Sequence, residues 1–142
     1  MPELTVREIT SRHEMVAQHP LILQLNPAMT EAQYSHMLGQ MLPNGYRMVG
    51  IFDGETCLGL SGFWINTKLY SGKYLEVDNF VVDAGSRSQS LGKHLTDWLQ
   101  ELARQEDCQT IMLDAYTSNH AAHRFYFREG FHIKSYHFFK TL

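Results

Sequence analysis

Ser118-Asn119-His120-Ala121-Ala122-His123-Arg124-Phe125-Tyr126-Phe127-Arg128-Glu129-Gly130-Phe131 reads as one short helix with both ends marked. Ser118 or Asn119 supplies an N-cap oxygen, and Gly130 stands where a C′ glycine closes a helix. Asn119 and Tyr126 are seven residues apart. That is about two turns, so an amide and a phenol share one face. Thr110-Ile111-Met112-Leu113-Asp114-Ala115 before the helix reads as a buried strand, and Phe131-His132-Ile133 after it as the next strand. The unit is strand, helix, strand.

The order of Asn119, Ala122, the pair Phe125-Tyr126 and the pair Gly130-Phe131 resembles the second signature of the GNAT N-acetyltransferase superfamily. The plain alternative is an amphipathic helix whose Phe125 packs in a core and whose Tyr126 is incidental.

A second stretch bears on the choice. Leu75-Glu76-Val77-Asp78-Asn79-Phe80-Val81-Val82 is apolar and β-branched, and reads as a strand. Small and polar residues follow, from Asp83 to Ser90, and then a long helix carries Leu91, Leu95, Trp98, Leu99 and Leu102 on one stripe. Strand, small-residue loop and helix N-terminus together suit a phosphate. The first N–H groups of a helix lack partners, and its dipole favours an anion there. Arg87 adds positive charge.

This loop is similar to the GNAT acetyl-CoA pyrophosphate loop in Arg87 and Gly92, with Ser90 at the position of the first glycine and Ala84 where many relatives have proline. The resemblance covers residues 74–131 well, and the N-terminal half only in its order of elements. It implies that Arg87, Ser88, Gln89, Ser90, Leu91, Gly92 and Lys93 surround the diphosphate. Phe80, Val81 and Val82 would hold the pantetheine arm by strand-like hydrogen bonds, and an N–H near Val81 or Val82 would polarise the acyl carbonyl. Asn119 and Ala122 would contact the cofactor from the helix. Within the superfamily, the compact length and the run His123-Arg124-Phe125-Tyr126 with Arg128-Glu129-Gly130 are similar to the aminoalkylphosphonate N-acetyltransferases.

The rest of the chain completes an α/β arrangement. Leu4 to Ile9 alternates as a first strand, and Ser11 to Gln18 reads as a short helix that His19-Pro20 interrupts. Thr30 and Gln33 form a capping-box pair for a helix carrying Tyr34, Met37, Leu38 and Met41 as a core stripe. Tyr46 to Phe52 and Thr56 to Asn66 flank an Asp53-Gly54 turn as a hairpin. The expected fold is the GNAT fold over residues 1–142 as a single domain. Its central sheet is mixed and mostly antiparallel, with splayed parallel strands, and helices flank it. In that fold the segment Leu25 to Tyr34 would line the acceptor pocket.

Composition narrows the partners. The net charge is −3 with acids and bases interspersed, which argues against a nucleic-acid face. No apolar run reaches the length of a membrane span, and Met1-Pro2-Glu3-Leu4-Thr5 lacks the regions of a signal peptide. A cytoplasmic protein with Cys57 and Cys108 as reduced, buried thiols is the expectation. A homodimer is among the assemblies the chain could form. Eight histidines include His120 and His123 at helical spacing, with His132 and His137 following, but no familiar ligand pattern completes them, so no metal is expected.

Acetyl transfer to an amine requires a base, a polarised carbonyl and an acid for the leaving thiolate. A phenol is protonated at neutral pH, so Tyr126 suits the acid, and the family uses the tyrosine at this position in that role. Glu76 and Asp78 lie on one strand face. Glu76 matches the strand position of the glutamate in several GNAT enzymes, and is the expected base, directly or through water, with Asp78 beside it. The expected function is acetyl-CoA-dependent N-acetylation of a primary amine on a small molecule. The alternatives are a silent acyl-CoA-binding GNAT module and a protein or peptide N-acetyltransferase.

Overall fold

The computed structural model describes residues 3–142, apart from the side chains of residues 87–89. The reading of the leader begins at Met1 and Pro2, which lie outside the described residues. Five strands form one sheet in chain order: β1 (Leu4–Ile9), β2 (Arg47–Asp53), β3 (Thr56–Lys68), β4 (Gly72–Val82) and β5 (Thr110–Leu113). The pairs β1–β2, β2–β3 and β3–β4 are antiparallel, and β4–β5 is parallel. The parallel pair requires a crossover, and the long helix α4 (Leu91–Gln105) supplies it.

Helices cover both faces. Before β2 come α1 (Arg12–Val16), α2 (His19–Leu25) and α3 (Glu31–Met41), and after β5 comes α5 (His120–Arg128). The core accordingly divides in two. One part joins Met15, Leu21, Ile22, Tyr34 and Leu38 of the first three helices to Ile9, Tyr46, Met48, Leu60 and Val81. The other joins Leu91, Leu95, Leu99 and Ala103 of α4 to Val49, Ile51, Phe63, Leu75 and Val77. The three leucines of α4 recur every fourth residue and are almost wholly buried, which satisfies the helical period along one stripe.

Several local expectations hold. Thr30 Oγ1 accepts from Gln33 N–H at 3.1 Å, and Gln33 Oε1 accepts from Thr30 N–H at 3.0 Å, completing the capping box. Ser11 caps α1.

Four expectations do not hold. His19-Pro20 begins α2 instead of interrupting structure, because proline lacks only an N–H that a first helical turn leaves unpaired anyway. Residues 131–133 form no strand, and no strand is assigned from there to the C-terminus. Their apolar pattern meets no sheet edge, and a strand exists only through its ladder. Met37 is exposed, unlike its stripe neighbours Tyr34 and Leu38. Cys57 and Cys108 are free but only half-buried.

Candidate active site

β4 changes character at Val77. Tyr74 to Val77 pair with Thr110 to Leu113 of β5, and there β5 ends. β4 continues to Val82, paired with β3 alone. The edge it had offered to β5 is therefore open from Asp78 onward. Such an edge presents N–H and C=O groups to whatever extended chain lies beside it.

A bulge coincides with that opening. The β3–β4 register shifts between Leu60 and Gly62, which pair with Val81 and Asp78 respectively. β4 thus carries one residue more than β3 across the interval. Asn79 lies in it with φ 62°, in the left-handed region. The extra residue inverts the alternation. Val77 packs on the α4 face, and after the bulge Phe80 and Val82 pack there too, while Val81 turns to the α1–α3 face. The expected alternation of Glu76 and Asp78 against Val77 is present, but it stops at Asn79.

Glu76 and Asp78 lie on the α1–α3 face together with Trp64, which pairs with Glu76 across the ladder. Trp64 Nε1–H donates to Asp78 Oδ2 at 2.9 Å. Desolvation raises the pKa of Glu76, and the nearby Asp114 and Asp78 add to the rise against the opposing pull of Lys68. A carboxyl so placed binds a proton more readily than a solvated one.

Tyr126 approaches from the other face. Its ring lies 6.2 Å from that of Phe80, edge to face, 5.4 Å from Phe125 and 5.7 Å from Phe131. This aromatic enclosure desolvates the phenol and pushes its pKa up to about 12. The hydroxyl is therefore fully protonated at neutral pH.

The helix that carries Tyr126 is closed as expected. Asn119 Oδ1 accepts from Ala122 N–H at 3.2 Å. Gly130 N–H reaches Phe127 O at 3.1 Å and Phe131 N–H reaches Tyr126 O at 3.0 Å, with Gly130 at φ 92°. These two bonds make a Schellman motif. The cap engages both the Asn119 amide oxygen and the Ala122 N–H.

The wall opposite α5 is the start of α4. Ser90 adopts φ 57°, ψ 31°, and its side chain makes no capping bond to α4. Glycine, which stands at this position in the loop that residues 87–92 resemble, adopts this conformation without penalty. Gly92 permits the close approach of the two helices, since a Cβ there would lie 3.2 Å from Phe125 Cζ and 3.6 Å from Phe80 Cε1. Leu91 is buried in the core, so only its backbone is available to a ligand. Lys93 Nζ lies 3.3 Å from Asp97 Oδ1 and 3.8 Å from Glu129 Oε1, so carboxylates already share its charge. The side chains of Arg87, Ser88 and Gln89 lie outside the described residues.

Sequence reasoning missed three contributors. Gln24 at the end of α2 holds the loop that leads to α4, donating to Asp83 Oδ1 at 2.8 Å and accepting from Ala84 N–H at 2.9 Å. Tyr46 accepts from Asn79 Nδ2–H at 3.2 Å, and Trp64 holds Asp78. The available signal was the break in alternation, in which apolar positions 75 and 77 are followed by polar Asn79 and then three apolar residues.

His120 and His123 lie side by side, with ring centroids 5.7 Å apart. His123 Nε2 lies 2.8 Å from Tyr116 O, and among the described residues no group of three or more His, Cys, Asp or Glu side chains could hold a metal. No helix among them is long and apolar enough to cross a membrane. A surface cleft is lined by Asn26, Ala28, Met29, Gln33, His36 and Met37, within and just after the segment expected to select substrate.

Residues 13–131 match the profile of the acetyltransferase (GNAT) family. The chain belongs to that family. It is 30% identical over 101 residues to the aminoalkylphosphonate N-acetyltransferase of Salmonella typhimurium, a match that covers 70% of this chain and spans 65% of that protein's length. Among solved structures, an aminoglycoside N-acetyltransferase in complex with CoA superposes with a TM-score of 0.85 at 14% identity, covering 100% of this chain and 96% of that one. An acetyltransferase of Trypanosoma brucei gives 0.78 at 20% identity, covering 99% and 100%. The glucosamine-6-phosphate N-acetyltransferase of Arabidopsis thaliana gives 0.75 at 20%, covering 98% of each chain. These structures share the fold of this GNAT chain.

Proposed function

We propose that this GNAT protein transfers an acetyl group from acetyl-CoA to the primary amine of a small molecule. The observation that carries the reading is the half-open β4: an unpaired strand edge from Asp78 to Val82, with a carboxylate pair on one face and a desolvated phenol on the other.

The residues fit a CoA thioester along their length. The Ser90 side chain does not cap the N–H groups at the start of α4, and those groups suit a diphosphate. The open edge of Phe80, Val81 and Val82 suits the amide-bearing arm, with Arg87 to Lys93 around the phosphates. Bound there, acetyl-CoA supplies the acyl group in activated form.

The chain's own groups handle the protons. Glu76 accepts a proton from the acceptor ammonium, directly or through water, and Asp78 beside it keeps the local field favourable to that cation. The freed amine nitrogen forms the new C–N bond at the acyl carbon as the C–S bond breaks. A backbone N–H near Val81 or Val82 donates to the acyl oxygen while charge develops there. Tyr126 gives its proton to the departing sulfur and regains one, through water, from the new amide nitrogen, which sheds its second proton once the C–N bond has formed, while Glu76 releases its own proton to solvent. The net products are the amide, CoA and one proton.

The small-molecule acceptor is supported by the aminoalkylphosphonate relative and by a site whose carboxylates suit a single ammonium group. The test is a thiol-release assay on a panel of aminophosphonates, polyamines, aminoglycosides, amino acids and peptides. Release of CoA with one of the small amines supports the reading. CoA binding without turnover of any amine would instead identify a silent acyl-CoA module, and selective turnover of peptides a protein acetyltransferase.

A further inference from the structure

The bulge of β4 is held from the face opposite Tyr126. Tyr46 is almost fully buried. Its hydroxyl accepts from the Asn79 side chain, and its ring lies 5.2 Å from Trp64, whose indole holds Asp78. Gly62 makes room for this arrangement. A Cβ on Gly62 would collide with the Tyr46 hydroxyl and lie 2.6 Å from the Asp78 carbonyl oxygen. Tyr46, just before β2, and Trp64 of β3 thus converge on the two β4 residues where the strand departs from regular geometry.

Asn79 has a conformational cost to offset. A non-glycine residue at positive φ is uncommon, and asparagine is among the few that tolerate it. The bond to Tyr46 favours that conformation over a regular strand. A regular strand would put residue 80 on the α1–α3 face. The bulge puts Phe80 on the α4–α5 face, with its ring 5.9 Å from Phe125 and 6.2 Å from Tyr126.

We propose that Tyr46, buttressed by Trp64, is a positioning residue that latches Asn79 in its left-handed conformation, and that through Phe80 this latch sets the placement of Tyr126 across the sheet. The catalytic consequence rests on the reading of Tyr126 as the acid, while the structural link does not. The latch acts through the Asn79 side chain. It acts on the strand whose open half forms the site.

Three variants separate the parts. Tyr46→Phe removes the accepting oxygen and keeps the ring. Asn79→Ala removes the amide and disfavours positive φ. Asn79→Gly removes the amide but permits positive φ. The first readout needs no acceptor. In protein labelled with 13C-tyrosine, the Tyr126 ring resonance is assigned by its loss in Tyr126→Phe. The edge-to-face Phe80 ring makes that resonance sensitive to Phe80's position. It is expected to move in Tyr46→Phe and Asn79→Ala well beyond the resonances of the exposed Tyr70 and Tyr116, and to move less in Asn79→Gly.

The second readout uses whichever panel amine the parent turns over fastest. Tyr46→Phe is expected to lower kcat about fivefold, the equivalent of one neutral hydrogen bond, with KM for acetyl-CoA within about twofold. Asn79→Ala is expected to fall further, and Asn79→Gly to recover part of the loss. An unmoved Tyr126 resonance in folded Tyr46→Phe would overturn the latch, as would a fall in kcat matched by an equal rise in KM. If Asn79→Ala does not fold, Tyr46→Phe decides alone, because it deletes a single oxygen. If no amine is turned over, the acetyltransferase reading fails and the resonance still decides the latch.

Discussion

The two halves of β4 are built on different terms. From Tyr74 to Val77 the strand is paired on both sides, and Leu75 and Val77 alternate into the core below α4. From Asp78 to Val82 it is paired on one side, carries a bulge, and has reversed its faces. The first half is maintained by burial and a two-sided ladder. The second depends on a few specific contacts: Trp64 on Asp78, Tyr46 on Asn79, and Phe80 on Phe125 and Tyr126. One strand thus supplies both the centre of the sheet and the wall of a site. The break falls where backbone groups become available to a ligand.

The boundary between the halves also divides two carboxylates. Glu76 has a raised pKa from desolvation, whereas Asp78 is held by an indole N–H. Glu76→Gln is expected to lower turnover by about 10²–10⁴-fold, most strongly at pH values where the acceptor is protonated. The same substitution is expected to raise stability at neutral pH. A carboxyl whose folded pKa exceeds its unfolded value favours folding below the unfolded value, and that favour is lost as pH rises through the folded one. Glutamine never ionises, so Glu76→Gln should melt above the parent at pH 7, with the gap closing below about pH 4. An unchanged pH–rate profile in both Glu76→Gln and Asp78→Asn would move the base elsewhere.

A core substitution in the paired half should act on stability instead. Leu75 is fully buried between α4 and the sheet. Leu75→Ala is expected to cost about 2–5 kcal/mol in chemical denaturation, and to change kcat little where the variant remains folded. A large kcat loss with little loss of stability would mean that the two halves are less separable than their contacts indicate.

The paired half was also the more legible in sequence. Alternation at Leu75 and Val77, the four-residue repeat of α4 and the capping box at Thr30 and Gln33 all follow rules spanning a few residues. The same holds for the helix from Asn119 to Gly130, whose end signals are local. The bulge depends on Tyr46, which is 33 residues from its partner Asn79, so only the lost alternation hinted at it. Residues 131–133 failed in the opposite direction. Their side chains favour a strand, but strand formation requires a neighbouring edge that local sequence does not specify. Glu76, Asp78 and Tyr126, proposed here to carry the chemistry, stand out in sequence by residue type alone. Their approach from opposite faces became visible only with the inverted strand.

In the open half, Tyr126→Phe removes a proton donor and keeps the ring that packs on Phe80. Turnover is expected to fall by roughly 10²-fold, within the range for a general acid. CoA affinity, measured by calorimetry, should change little. The loss should shrink with acyl donors whose thiol has a lower pKa, because such a thiolate needs less assistance to leave. Full turnover in Tyr126→Phe would make the aromatic enclosure a packing feature and return the leaving-group proton to solvent.

The smallest expected effect concerns the far wall of the open half, where α4 begins. Ser90 and Asn79 are both non-glycine residues at positive φ near the site, but only Asn79 has a side-chain bond that accounts for it. Asn79 donates to Tyr46, while the Ser90 side chain does not cap its helix. Ser90→Gly should therefore relieve backbone strain by about 1 kcal/mol, offset in part by the greater freedom of glycine in the unfolded chain. The net change in stability should be no more than about 1 kcal/mol in either direction, measured by denaturation. CoA affinity should stay within about tenfold of the parent, because one neutral hydrogen bond from the hydroxyl is worth only about 1 kcal/mol. A hundredfold loss in calorimetry would show that the serine hydroxyl is a principal phosphate contact. The strain at residue 90 would then be the counterpart of the strain at residue 79, a left-handed conformation retained for what its side chain binds.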